Sequence, residues 1–198
     1  MKTRKCAFFI FNGFADWEPA LVTAGLNKFS DFSVDTFSLT GRSVISMGGV
    51  VVHPQSALEH IHPSGIDLLL LPGGDAWERS ENREIIPLIK SVFRHQKTIA
   101  CICAATTILG QIGILDHVPH TSNALDYLKQ YCPEYKGEAL YERKPCVSAG
   151  NIITANGAAM VEFAYEIFKA FQVFDEPALS AWKELYKSGG MINKLFEG

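Results

Sequence analysis

The chain is 198 residues long, 47% hydrophobic and 20% charged, with 18 basic and 21 acidic residues and a formal net charge of -3. These values describe an ordinary globular protein rather than a disordered chain, argue against a nucleic-acid binder built on bulk positive charge and disfavour attraction to anionic membranes. The length suits one domain over residues 1–198, large enough to bury roughly 70% of its unfolded surface without disulfide or metal staples.

The start, Met1-Lys-Thr-Arg-Lys5, has the basic character of a signal peptide. Its apolar run is only Cys6–Phe11, stopped by Asn12-Gly13 and followed by Asp16 and Glu18, so it reads as a first buried strand. No stretch has the ~18 uninterrupted apolar residues of a membrane helix. The expectation is a cytoplasmic protein with reduced thiols.

Asp16 to Lys28 reads as a helix, with Asp16 placed to cap it and Pro19 tolerable in its first turn. Phe32–Leu39 alternates apolar with polar, as a half-buried strand does. Val44–Met47 and Val50–His53, joined at Gly48-Gly49, predict a hairpin. Ile66–Leu71 is an apolar strand ending at Pro72-Gly73-Gly74. Arg83 to His95 carries a broad apolar helical face through Ile85, Ile86, Leu88, Ile89, Val92 and Phe93.

Thr98–Ile102 is a further buried strand that runs into a helix over Cys103–Gln111 with no loop between them. A short helix over Leu125–Tyr131 follows, then short strands at Val147–Ala149 and Ile152–Ala155, then a long helix from Gly157 to Phe174. Such alternation, with continuously apolar strands, predicts an α/β fold with a mostly parallel sheet covered on both faces. The closing segment 176–198 holds Trp182, Leu185, Tyr186, Met191, Ile192, Leu195 and Phe196. It reads as a helix packed on the domain, or as a subunit contact.

In open α/β sheets ligands gather at the C-terminal ends of the strands. Three such ends bear chemistry here: Phe14–Glu18, Pro72–Glu78 and Cys101–Ala105. Cys103 stands at a strand-to-helix junction, the placing of a nucleophile elbow with cysteine in place of serine. The helix N-terminus there would lower the thiol pKa. Spacing alone fits a small buried core cysteine equally well.

Gly73 and Gly74 would let the backbone approach a ligand, with the Gly74 and Ala104 amides forming an oxyanion hole. A tight turn explains the same glycines. Glu18 fits a helix's first turn, or a protonated carboxyl hydrogen-bonded to a thiolate. Cys101 and Cys6 read as core, and Cys132 and Cys146 as loop or surface thiols. The odd count of five cysteines shows no disulfide framework, and no cluster has zinc-site spacing.

These elements in this order resemble the ThiJ/PfpI (DJ-one/PfpI) superfamily, within the class I glutamine amidotransferase-like fold. The matching pieces are Asp16-Trp17-Glu18, Leu70-Leu71-Pro72-Gly73-Gly74, Ile99-Ala-Cys-Ile-Cys103-Ala, His120-Thr121-Ser122-Asn123, and Ile153-Thr154-Ala155-Asn156-Gly157 with Val161-Glu162-Phe163-Ala164. The resemblance implies a flavodoxin-like three-layer sandwich, a reactive Cys103 with Glu18 as its hydrogen-bond partner, and a homodimer or larger assembly. No cofactor and no metal are expected.

Two departures stand out. Ala104 occupies the position where the peptidase-like branch has a histidine directly after the nucleophile. Glu78 matches that branch's acidic residue after Pro-Gly-Gly, a candidate acid acting between subunits. In the deglycase-like branch a histidine follows a Thr-Thr pair, whereas here Thr121-Ser122 precedes Asn123. His120 is then the remaining candidate base, with Asn123 a candidate substrate contact. The expectation is a cysteine-dependent hydrolase or amidase acting on a small carbonyl or amide substrate, with catalytic Cys103, Glu18 and His120. The alternative is a non-enzymatic redox or electrophile sensor that uses the same cysteine and meets an oxidant.

Overall fold

The computed structural model describes residues 3–189. Nine strands form: β1 (Arg4–Phe9), β2 (Phe32–Ser38), β3 (Val44–Ile45), β4 (Val51–Val52), β5 (Ser56–Ala57), β6 (Leu68–Leu71), β7 (Thr98–Ile102), β8 (Cys146–Ala149) and β9 (Ile152–Ala155). Six helices accompany them: α1 (Ala20–Phe29), α2 (Ile86–Arg94), α3 (Thr106–Gln111), α4 (Leu125–Tyr131), α5 (Met160–Ala170) and α6 (Glu176–Lys187).

Seven strands make the central sheet, in the order β5-β2-β1-β6-β7-β9-β8. All neighbours in it are parallel except β8, which pairs antiparallel with β9. β6 and β7 read Leu-Leu-Leu-Leu and Thr-Ile-Ala-Cys-Ile, and all but Thr98 are fully buried. Strands with both faces covered have no solvent side to carry polar residues. The fold is therefore the mostly parallel α/β sheet that the strand–helix alternation predicts, in the flavodoxin-like form that the resemblance implies.

β2 lies on one side of β1 and β6 on the other, which makes the C-terminal end of β1 a topological switch point, where such sheets open a crevice. The register fixes what gathers there. Leu71 pairs with Cys101, and Ile102 pairs with Ala155. The residues that follow, Gly73 after β6 and Gly157 after β9, are thereby carried to either side of Cys103.

The two-stranded β3–β4 hairpin stands outside this sheet. Phe9, Phe11, Phe37 and Trp77 pack edge-on or tilted against one another, with ring centroids 5.3–5.8 Å apart. Trp77 also donates its indole N–H to the Pro72 carbonyl at 2.8 Å, pinning the turn after β6.

Several boundaries differ from expectation. The first strand begins at Arg4 rather than Cys6, and Ser56–Ala57 adds an edge strand too short to show periodicity. The predicted helix from Asp16 begins only at Ala20. Asp16 does not cap it, because its carboxylate accepts the Ser46 hydroxyl at 2.6 Å. Residues 16–18 thus form a turn, and Glu18 is not a helical residue. The helix predicted from Gly157 begins at Met160, after a turn over residues 157–158.

α6 lies against α5, with Trp182 edge-on to Phe168 at 5.0 Å. Met191, Ile192, Leu195 and Phe196 lie outside the described residues. Among the described residues no helix is long and apolar enough to cross a membrane.

Candidate active site

Cys103 directly follows β7 and opens a helical turn that continues as α3. Its φ is +60°, a left-handed conformation that costs a non-glycine residue on the order of 1–3 kcal/mol and persists only where the surroundings impose it. They do so through hydrogen bonds. Thr106 Oγ1 donates to the Cys103 carbonyl, and Thr107 Oγ1 to the Ala104 carbonyl, each at 2.7 Å. The sharp turn lifts the side chain out of the sheet, as in a nucleophile elbow. Cys103 is half-buried, while Cys101, two residues back, is sealed in the strand.

Glu18 meets the thiol. Its carboxyl hydrogen-bonds Cys103 and accepts the Gly73 N–H at 2.6 Å. Only 1% of the residue is exposed. The room for this contact comes from two glycines. A Cβ on Gly73 would sit 2.7 Å from both Cys103 Cβ and Glu18 Oε2. One on Gly157 would sit 2.8 Å from Cys103 Sγ and 3.3 Å from Glu18 Oε1. Asn123 completes the surround, donating Nδ2–H to Cys103 Sγ at 3.4 Å while its Oδ1 accepts the Gly157 N–H at 2.9 Å. The segment carrying Asn123 is held to the elbow by Ser122 Oγ, 2.6 Å from Thr106 Oγ1.

The electrostatics differ from expectation. Burial, and next the Glu18 carboxylate, push the Cys103 thiol up to about 11, against the pull of the Asn123 amide and the Ala104 N–H. Burial likewise raises Glu18, against the Gly73 N–H and Cys103. The helix end was expected to lower the thiol, but desolvation and a like charge outweigh it. Cys103 therefore keeps its proton at neutral pH.

The other predicted residues fall as follows. Gly74 has φ +142° and, among the described residues, its N–H has no acceptor. The Gly73 N–H, by contrast, is committed to Glu18. His120 is fully buried and brought to neither Cys103 nor Glu18 by a hydrogen bond. Its Nδ1 lies 2.7 Å from the Val118 carbonyl and its Nε2 2.6 Å from the Tyr135 hydroxyl. Burial lowers its pKa, so the ring stays neutral.

Glu78 accepts the Tyr127 hydroxyl at 2.7 Å and the Tyr131 hydroxyl at 3.3 Å, within its own chain. Tyr127 is also close enough to feel the Cys103 charge. Among the described residues no three His, Cys, Asp or Glu side chains gather as a metal site.

Sequence reasoning missed two features of the site. Gly157 reads in sequence as a helix start and part of a family motif, not as a wall of the thiol site, although it follows β9 much as Gly73 follows β6. Tyr127 and Tyr131 carry no site signal in the sequence beyond their i, i+4 spacing, which aims both hydroxyls at one carboxylate.

A flavodoxin-like sheet with a half-buried cysteine on a strained strand-to-helix elbow, touched by a buried glutamate, defines a class of cysteine-centred α/β proteins. A sequence model of the DJ-1/PfpI family matches residues 4–170. The chain belongs to that family. It is similar to the "Uncharacterized protease YoaZ" of Bacillus subtilis, at 36% identity over 95% of this chain and 93% of that one. It is also similar to the crystal structure of the thiJ/pfpI family protein from Bacillus anthracis, at 37% identity and a TM-score of 0.89, covering 96% of this chain and 92% of that one. The DJ-1 superfamily protein Atu0886 from Agrobacterium tumefaciens matches at 35% identity and a TM-score of 0.87, covering 94% of this chain and 99% of that one.

Proposed function

We propose that this chain is a cysteine-dependent hydrolase acting on a small carbonyl or amide substrate. The observation that carries this reading is the Cys103–Glu18 contact on a strained elbow. Strain of this kind is kept where a side chain must be presented. The protease name of the Bacillus subtilis relative accords with it.

As Cys103 Sγ forms a bond to the carbonyl carbon, its proton passes to the Glu18 carboxylate, so no histidine is needed to receive it. The carbonyl oxygen becomes an oxyanion facing the Gly74 and Ala104 amides. Collapse breaks the bond to the leaving amine or alcohol, which takes the proton from Glu18. Water then cleaves the thioester and restores the thiol.

Chromogenic small esters and amides test this. Turnover should be present in the wild type and lost in both Cys103→Ala and Glu18→Gln. Equal turnover in Cys103→Ala refutes the reading.

A second reading is supported by one observation: no imidazole is hydrogen-bonded to the sulfur. A redox sensor needs a reactive sulfur but no base. Peroxide would oxidise Cys103 to a sulfenic acid, releasing water, and a second equivalent would give a sulfinic acid that a protonated Glu18 stabilises. Mass spectrometry after mild peroxide separates the two readings. Cys132, expected at the surface, is buried, with its thiol donating to the Thr107 carbonyl, so the half-buried Cys146 is the comparator. Cys103 oxidised ahead of Cys146, without turnover of any ester or amide, selects the sensor. If Cys103 stays reduced while Cys146 oxidises, the sensor reading fails.

A further inference from the structure

We infer that the cavity adjoining Cys103 is a carboxylate-binding pocket with Arg143 as its cation, so that the hydrolase's substrates are small carbonyl or amide compounds bearing a carboxylate. This inference rests on the reading of Cys103 as a reactive thiol.

The cavity measures about 510 Å³ and is lined by Asn123, Asp126, Tyr141, Arg143, Lys144 and Asn156, among others. Its volume suits a small metabolite rather than a folded protein. It shares Asn123 with the thiol, since the amide that lines it donates to Cys103 Sγ at 3.4 Å. Asn156 directly precedes Gly157, which abuts the sulfur from the other side. A molecule in this cavity therefore meets Asn123, the residue that donates to the sulfur.

The charges on the lining are not equivalent. Lys144 Nζ is paired with Glu142 at 2.5 Å. Among the described residues Arg143 makes no ion pair and no hydrogen bond, and it is exposed at the rim. Its planar fork of donors matches a carboxylate's two oxygens. Asn156 accepts the Ala158 N–H through Oδ1 at 3.0 Å, leaving its Nδ2 with no acceptor among the described residues. Asp126 is the one carboxylate on the lining. It repels an anion from its own side and so biases the ligand toward Arg143.

Two alkylating probes of nearly the same size test this without knowledge of the substrate. Iodoacetamide is neutral and iodoacetate carries a carboxylate, and both alkylate reactive thiols. The expected result is that Arg143→Gln slows iodoacetate by about three-fold, the scale of one screened charge contact, and leaves iodoacetamide unchanged. Arg143→Lys should retain most of the iodoacetate rate, and Asp126→Asn should raise it. Added salt should shrink the wild-type effect.

Equal slowing of both probes, or no slowing of iodoacetate, overturns the inference while leaving the hydrolase reading intact. A slower iodoacetate reaction in Asp126→Asn also overturns it, because a carboxylate ligand cannot gain from that aspartate. Failure of iodoacetamide to label Cys103 in the wild type overturns the reactive-thiol reading, and this inference with it.

Discussion

Gly157→Ala isolates the steric logic of the site. Gly157 does not sit at positive φ, so alanine meets no backbone penalty there. Its new Cβ would lie 2.8 Å from Cys103 Sγ, 3.1 Å from Cys103 Cβ and 3.3 Å from Glu18 Oε1. The first of these is well inside van der Waals contact, and all three neighbours belong to a tightly bonded cluster, so none can move alone. Overpacking of this kind costs typically about 1–3 kcal/mol. A sulfur displaced by about 1 Å can lose on the order of 100-fold in rate.

The assay pairs urea unfolding with the alkylation rate of Cys103. Gly150→Ala supplies the control. Gly150 has φ +59° and nothing within 4 Å of an added Cβ, so alanine there costs roughly 1 kcal/mol in strain and touches no site residue. The expectation is comparable destabilisation in the two variants, with a slowed thiol, by about ten-fold or more, in Gly157→Ala alone. A wild-type alkylation rate in Gly157→Ala would refute the claim that this glycine makes room for the thiol–carboxylate contact.

Three further variants probe the electrostatics. Glu18→Gln removes the charge that helps hold Cys103 near about 11, so the thiolate's ultraviolet absorbance should appear at lower pH, and an unchanged or higher titration contradicts the pairing. Asn123→Ala removes a hydrogen bond that pulls the thiol down, and should shift the same titration upward. His120→Phe leaves the Tyr135 hydroxyl and the Val118 carbonyl without a partner. It should cost about 1–3 kcal/mol while Cys103 alkylation stays within about two-fold. A ten-fold loss would restore His120 as a base. Burial depresses the folded His120 below its unfolded value of 6.5, so the unfolded chain binds more protons in acid. Wild-type stability should therefore fall as pH drops through 6.5, and less steeply in His120→Phe.

The fold was legible because its signals are local. Leu68–Leu71 and Thr98–Ile102 are apolar runs bounded by glycine or by a helix pattern, and both became central strands. The α4 range, Leu125–Tyr131, agrees residue for residue with its sequence periodicity. Motif order also drew Cys103, Glu18, Gly73 and Asn123 together.

What failed was side-chain commitment, which depends on partners distant in sequence. Asp16 reads as a cap until Ser46, thirty residues on, takes its carboxylate. His120 reads as a free base until Tyr135 and Val118 are seen to hold both nitrogens. The direction of the Cys103 shift was missed for the same reason. A helix end is visible in sequence, but the burial that outweighs it is not.

That shift bears on why a carboxyl rather than an imidazole contacts this sulfur. An imidazole would hold the thiol as an ion pair, permanently nucleophilic and permanently open to oxidants. A buried carboxyl does the reverse. With Cys103 held at about 11, the resting thiol keeps its proton, and in the mechanism proposed above sulfur gains charge only as that proton moves to Glu18. Reactivity is then set by whatever stabilises the charge as it develops: the Asn123 amide on the sulfur and the amides facing the carbonyl oxygen. A carbonyl compound lying against the thiol would take up that charge as it develops, so the thiol is expected to react on contact with substrate rather than rest as a thiolate.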